Sequence, residues 1–218
     1  MTCKIKGIIF DMDGVISDTQ CIFSKIQSSL FEKLNISISP EQITRKYAGM
    51  NTREFFKQVL NDFNVQYDID LLLEEMWNTM YENIEENLKP IKGTIPFIKY
   101  YYAKNIPLAV ASSSKIDFVK KVLKGLEIDN YFTAIVGGDM VKKGKPDPEI
   151  FLLAASKIQT SPSDCLVIED GISGMTAAKD ANMFCIGIVK DVNQTYPTKN
   201  LVKSLDEVGN YYLQNLKK

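Results

Sequence analysis

The sequence predicts an α/β fold: a doubly wound, mostly parallel sheet with a four-helix domain inserted behind its first strand. Three observations carry this expectation. Short apolar runs rich in β-branched residues recur along the chain, as strands buried on both faces of a parallel sheet do. Helical patterns separate those runs, and alternating strand and helix segments imply crossover connections within one sheet. The alternation is interrupted once, between about Asp18 and Leu88, where helical stripes follow one another with no convincing strand. The expected division is residues 1–17 with 90–218 as the α/β core, and residues 18–89 as a helical cap.

Taken in order, the first strand is expected over Ile5 to Phe10, ending abruptly in Asp11-Met12-Asp13-Gly14. Further strands are expected at Ile106–Ala111, Ala134–Val136, Cys165–Ile168 and Cys185–Val189. The intervening helices are Gly93 to Lys104, Ile116 to Leu126, Pro148 to Ile158 and Ser173 to Asn182. In such sheets ligands gather at the carboxyl ends of the strands, near a topological switch point. Inside the insert, Ile22, Phe23, Ile26, Leu30 and Phe31 form one helical stripe across Cys21 to Leu34. Ser39 followed by Pro40 reads as an N-cap and first helical residue. Thr52 to Phe63 gives a third helix and Asp68 to Leu88 a fourth. Lys89-Pro90-Ile91-Lys92-Gly93 interrupts both periodicities and is the expected return hinge. Trp77 and Met80 are expected in the cap core. Tyr100-Tyr101-Tyr102 should turn one ring inward and leave the others partly exposed. The tail from Leu205 to Leu216 reads as a closing helix.

Composition narrows the chemistry. The chain has 218 residues, 45% apolar and 24% charged, with a formal net charge of −1, which is globular composition with no basic excess for nucleic acid. It contains no histidine. That excludes Ser-His-Asp and Cys-His catalysis, histidine zinc ligands and histidine general bases. Proton transfer must fall to Asp, Glu, Lys, Tyr or Cys. The cysteines Cys3, Cys21, Cys165 and Cys185 show no CxxC spacing, so a zinc site is not expected. Cys165 and Cys185 adjoin apolar runs and read as buried thiols. No apolar stretch reaches the ~18 residues of a membrane span, and MTCKIKGIIF is too short for a secretory segment. The expectation is a soluble cytoplasmic protein with no membrane partner.

Four features carry chemistry. Asp11 and Asp13 sit at the mouth of the first strand, where two carboxylates can fan around one point; the bland alternative is a pair of turn-forming acids. Val110-Ala111-Ser112-Ser113-Ser114-Lys115 runs a strand into small hydroxyls before a helix, suited either to phosphate oxygens or to a plain N-cap by Ser112 or Ser114. In Lys142-Lys143-Gly144-Lys145-Pro146-Asp147-Pro148-Glu149, Lys145 is set between Gly and Pro, as a lysine aimed at an anion would be. Asp147 and Pro148 then open a helix. A solvated basic loop accounts for Lys142 and Lys143 but not for the KPDP punctuation. Finally, the strand Cys165–Ile168 ends in Glu169-Asp170-Gly171, acids that suit a hard cation or, for Asp170, a helix cap.

In this order and spacing, DMDGV, ASSS, KGKPDP and IEDGISG resemble the four motifs of the haloacid dehalogenase superfamily of phosphohydrolases, and the resemblance covers nearly the whole chain. It implies a Rossmann-like core, a cap, and an Mg2+-dependent phosphatase. Asp11 would be the nucleophile that forms an aspartyl-phosphate, and Asp13 the general acid and then base. Magnesium would sit among Asp11, the Asp13 carbonyl and Asp170, with Glu169 assisting. Ser112, the Ser113 N–H and Lys145 would hold phosphoryl oxygens. Arg53, Ser114 and Lys115 are candidates for the rest of the substrate, Arg53 in the loop Gly49–Glu54. Its bland alternative, a helix-start Arg paired with an acid, weighs equally, and for Lys115 the bland alternative weighs slightly more. The wording is most similar to the β-phosphoglucomutase and sugar-phosphatase branch. Mutases carry a cap histidine where this chain has Thr19-Gln20-Cys21-Ile22-Phe23-Ser24, so the resemblance implies a phosphatase for a small phosphorylated metabolite, with the mutase as alternative. Non-enzymatic alternatives are a receiver-like switch phosphorylated on Asp11 or a decayed partner-binding protein. The insert argues against the first and the full set of acids with Lys145 against the second. A monomer or weak dimer is expected.

Overall fold

The computed structural model describes residues 5–47, 52–191 and 194–209, without the side chains of residues 85–87. The chain forms two compact units, Met1–Asp18 with Leu88–Lys218, and Thr19–Asn87.

In the first unit, six parallel strands form one sheet: β1 (Gly7–Phe10), β2 (Leu108–Ala111), β3 (Ala134–Val136), β4 (Cys165–Glu169), β5 (Phe184–Ile188) and β6 (Asn200–Val202). Their order is β3-β2-β1-β4-β5-β6. The chain first builds outward on one side of β1, then returns to build on the other, so β1 is the switch point. The residues of β1, β2 and β4 are all buried, which is why they read as continuous apolar runs rather than alternating ones. The predicted doubly wound parallel sheet is thus observed. β6 escaped the sequence reading because it is three residues long and its Asn200 is polar. That side chain is buried and donates to the Cys185 carbonyl at 3.0 Å.

The core helices of this unit occupy Thr94–Ala103, Ile116–Gly125, Glu149–Lys157 and Ile172–Asp180, within one or two residues of expectation. Ile150, Phe151, Ala154, Met175, Ala177 and Ala178 pack into one cluster with strand residues Ile9, Ala109 and Val167. Cys165 and Cys185 are buried free thiols in the same cluster, as expected. Tyr101 is buried whereas Tyr100 and Tyr102 are exposed. The closing helix is not seen to begin at Leu205. A single tight turn spans Leu205–Glu207, the next two residues leave it, and the rest of that expectation lies outside the described residues.

The second unit comprises α1 (Thr19–Lys33), α2 (Pro40–Lys46), α3 (Thr52–Asp62) and α4 (Ile69–Asn87). Ser39 caps α2 through a full capping box, its hydroxyl taking the Gln42 N–H while the Gln42 side chain takes the Ser39 N–H. The apolar stripes meet in a core of Ile26, Leu30, Phe31, Phe56, Val59, Met76 and Met80, with the Phe31 ring edge-on to both Phe55 and Phe56. Trp77 is half-buried against Phe23 rather than fully interior. Among the described residues, no helix is long and apolar enough to cross a membrane.

Phe10 anchors the carboxyl end of β1 in the core. It is fully buried, edge-on to Phe97 and Phe132 at 6.0 and 5.9 Å between centroids, and it immediately precedes Asp11. Phe10→Ala is expected to cost about 3–5 kcal/mol in urea denaturation, the usual range for removing a buried ring. A loss below about 1 kcal/mol would mean this core relaxes freely around the gap.

Candidate active site

The register of the sheet brings the motif residues together. Phe10 lies level with Val110 on one side and Ile168 on the other, so Asp11 leaves the sheet between the ends of β2 and β4. Its N–H still donates to the Ile168 carbonyl at 2.9 Å. The chain then turns at once: the Met12 carbonyl accepts from Ile16 and Ser17, and Gly14 donates to the Ser17 carbonyl. Gly14 holds a φ of 82°, a left-handed conformation that a side chain disfavours. A side chain there would also overlap Asp170, whose Cγ lies 2.6 Å from the position a Cβ would take. The first and fourth motifs therefore pack directly on one another.

Lys145 reaches the same point from the loop before the helix Glu149–Lys157. That loop is fastened by the Glu149 carboxylate, which accepts from the N–H groups of Lys142 and Lys143. Asp147 accepts from the Glu149 N–H at 3.0 Å, so it does start the helix, although Pro148 takes the N-cap position rather than the first helical one. The Lys145 ammonium is 2.5 Å from Asp11 Oδ1 and 2.9 Å from Glu169 Oε1, with the lysine and glutamate side chains each 4% exposed. The Phe151 ring lies beneath the ammonium at 4.8 Å. Glu169 Oε2 accepts from the Gly171 N–H at 2.5 Å. Both Glu169 oxygens are thus engaged, one by Lys145 and one by the backbone.

The serine loop contributes differently from its bland reading. Ser112 is fully buried, and its hydroxyl accepts from the Ser114 N–H at 3.1 Å. The Ser112 and Ser114 hydroxyls both lie 3.4 Å from Asp13 Oδ2 and donate to it. Neither caps the next helix, whose N-cap is Lys115 without a side-chain bond. The first N–H of that helix, from Ile116, is taken by Asp139 at 2.9 Å. Asp170 likewise does not cap its helix, since Gly171 is the N-cap. The caps failed because these side chains turn toward the site.

Four carboxylates, Asp11, Asp13, Glu169 and Asp170, act on one another here beside one ammonium. Burial pushes the Asp11 carboxyl well above the ordinary range; Lys145 opposes that shift, and the other three acids reinforce it. Burial also pushes Asp170 up to about 7, helped by Glu169 and Asp13. For Lys145 burial works against the charge, but Asp11 and Glu169 outweigh it and hold the ammonium above its usual value. A site with this excess of negative charge and only oxygen donors fits a hard dication in charge and donor type. Among the described residues, no three acidic or thiol side chains are already gathered as ligands.

The other expected residues are exposed, among them Ser113 and Lys115. Within the helical unit, Arg53 is half exposed and ion-paired with Asp70, which is its bland alternative. Of its loop, Gly49, Met50 and Asn51 lie outside the described residues, as does Cys3. Sequence reasoning missed Asp139 and Glu149, whose carboxylates fasten the serine and lysine loops. A lone acid after a strand carries no spacing signal, though Glu149 at a helix start was open to view.

Comparison with known proteins gives the chain a family. The family model for haloacid dehalogenase-like hydrolases matches residues 8–188. A phosphorylated carbohydrates phosphatase of Thermotoga maritima is 30% identical over 87% of this chain and 88% of its own. A β-phosphoglucomutase of Bacillus subtilis is 32% identical over 84% and 83%. The crystal structure of a β-phosphoglucomutase from Clostridium difficile superposes with a TM-score of 0.81 at 28% identity, covering 96% of each chain. The chain belongs to the haloacid dehalogenase-like hydrolases. It is an enzyme of that family, a hydrolase, and its relatives lie in the branch that the motif wording indicated.

The raised carboxyl values set a pH dependence. A group with a folded pKa above its unfolded one stabilises fully below the unfolded value, and that contribution is lost as pH rises through the folded value. For Asp170 this window runs from its ordinary 3.8 to about 7. The Tm of metal-free protein is therefore expected to fall between about pH 4 and pH 7, and Asp170→Asn should flatten the decline. An unchanged slope in that variant would remove Asp170 from the electrostatic cluster.

Proposed function

We propose that the protein is a magnesium-dependent phosphatase that hydrolyses a small phosphorylated metabolite, a sugar phosphate, through an aspartyl-phosphate on Asp11. The observation that carries this reading is the buried Lys145 ammonium on Asp11 Oδ1 beside three further carboxylates. A carboxylate is a useful nucleophile toward a phosphate ester only where positive charge is fixed beside it, because phosphoryl transfer depends mainly on positioning and neutralisation.

In this reading Asp11 attacks phosphorus and the ester P–O bond breaks. Asp13 gives its proton to the departing alkoxide oxygen. The ionised Asp13 next takes a proton from water, which attacks the aspartyl-phosphate, releasing inorganic phosphate and free Asp11. The Ser114 hydroxyl that reaches Asp13 Oδ2 orients its carboxyl for both transfers, while Ser112 gives up the same contact so that its single proton donates to a phosphoryl oxygen. Ser112 and the Ser113 N–H bind phosphoryl oxygens, and Lys145 neutralises their charge. Asp11, Asp170 and the Asp13 carbonyl would hold Mg2+, which supplies charge neutralisation at the phosphoryl group when bound. Glu169 contributes through Lys145, since both of its oxygens are engaged. The helical unit is the candidate for substrate selection, through Arg53, and within the α/β unit the exposed Lys115 is the candidate for the non-transferred part. The relatives named for phosphorylated carbohydrates support the sugar phosphate as substrate class.

Turnover of p-nitrophenyl phosphate and of a sugar-phosphate panel tests the chemistry. Magnesium should be required, EDTA should abolish turnover, and Asp11→Asn should remove it while circular dichroism stays unchanged. Near wild-type turnover by that variant would sink the assignment.

The choice between phosphatase and mutase turns on the missing histidine. Without an imidazole to restrain proton transfer, water should win the aspartyl-phosphate. Release of phosphate from hexose phosphates should exceed interconversion of β-glucose 1-phosphate and glucose 6-phosphate, both followed in one pot primed with glucose 1,6-bisphosphate. Isomerisation faster by about a hundredfold, nearly 3 kcal/mol in barrier, would establish the mutase instead.

A further inference from the structure

We infer that Gly174 is a positioning residue: the space left by its missing side chain is where Glu169 stands to hold Lys145 on Asp11. Gly174 is the third residue of the helix Ile172–Asp180 and is buried. A Cβ built on it would overlap Oε1 and Cδ of Glu169 and lie 2.7 Å from Cγ. The obstacle is not the loose end of a surface side chain. Glu169 is buried, with Oε1 on the Lys145 ammonium and Oε2 on the Gly171 N–H. A methyl group at 174 therefore cannot be accommodated by a small sway of Glu169; the carboxylate must leave. Lys145 would then lose one of its two carboxylate partners among the described residues, and the ammonium would no longer be fixed over Asp11 Oδ1.

Helix propensity makes the choice of residue informative. Glycine inside a helix is less favourable than alanine, so local structure alone would favour alanine at this position. The contact with Glu169 opposes that preference. The chain of influence runs from Gly174 to Glu169, to Lys145, to Asp11, and Gly174 itself touches no reacting atom.

This inference rests on the phosphatase reading only where turnover is measured; its thermal readout does not need it. The experiment is a double-mutant cycle of Gly174→Ala and Glu169→Ala, the latter removing the Cγ, Cδ and both carboxylate oxygens from the contested space. Metal-free protein is melted, and turnover of p-nitrophenyl phosphate is measured with magnesium. Gly174→Ala alone is expected to lower Tm despite alanine's helix preference, and to lower kcat about a hundredfold, the scale of a misplaced catalytic group. In the Glu169→Ala background the same substitution should raise Tm and leave kcat no lower than in Glu169→Ala alone. That reversal of sign is what a general packing role would not produce. A rise in Tm in both backgrounds, or an equal fall in both, would overturn the inference. Should Gly174→Ala fail to fold, recovery of folding in the double variant supports it and continued failure overturns it. If wild-type protein hydrolyses no phosphate ester, the functional reading falls, while the reversal in Tm still decides the role of Gly174.

Discussion

The arrangement on which the site depends is the buried ammonium of Lys145 between Asp11 and Glu169. Taking three charged groups out of water is expensive, and their mutual attraction compensates only when geometry and hydrogen bonding are good. Here the geometry is supplied from three directions. β1 delivers Asp11, β4 delivers Glu169, and the loop fastened by Glu149 delivers Lys145. Because the ammonium pairs with one acid at the end of each of two adjacent strands, it joins the first and fourth motifs.

The rest of the site is built by turning local structure toward that point. Hydroxyls and acids at helix starts ordinarily cap the helix. Ser112, Ser114 and Asp170 stand at such starts and do not cap. Their caps are replaced from elsewhere, by Asp139 at Ile116, or left without a side chain, as at Gly171. Local stability is given up so that the side chains can face Asp13 and the first loop. Natural sequences depart from local preference in this way chiefly at functional sites.

Burial raises Asp11 and Asp170 and so disfavours their ionised forms, and at Asp11 the Lys145 ammonium opposes that shift. The excess of negative charge also explains why a hard cation fits the proposed chemistry: one lysine cannot neutralise four neighbouring acids.

Much of this protein is legible in its sequence. The apolar runs locate the central strands, because a strand buried on both faces must be apolar at every position. The helical stripes locate the helices of both units, and the four motifs, read in order, identify the family. β6 was not legible, since three residues with a buried Asn200 carry no periodic signal and pair only because β5 is already in place. Nor could spacing reveal that Glu169 turns to Lys145, that Arg53 pairs with Asp70, or that Asp139 substitutes for a serine cap. Those outcomes depend on which side chain reaches a partner on another element of the fold. The sequence by itself determined the element types and the chemical groups available. Tertiary structure decided which charges meet, because only the parallel register of β1, β2 and β4 sets the distances over which they act.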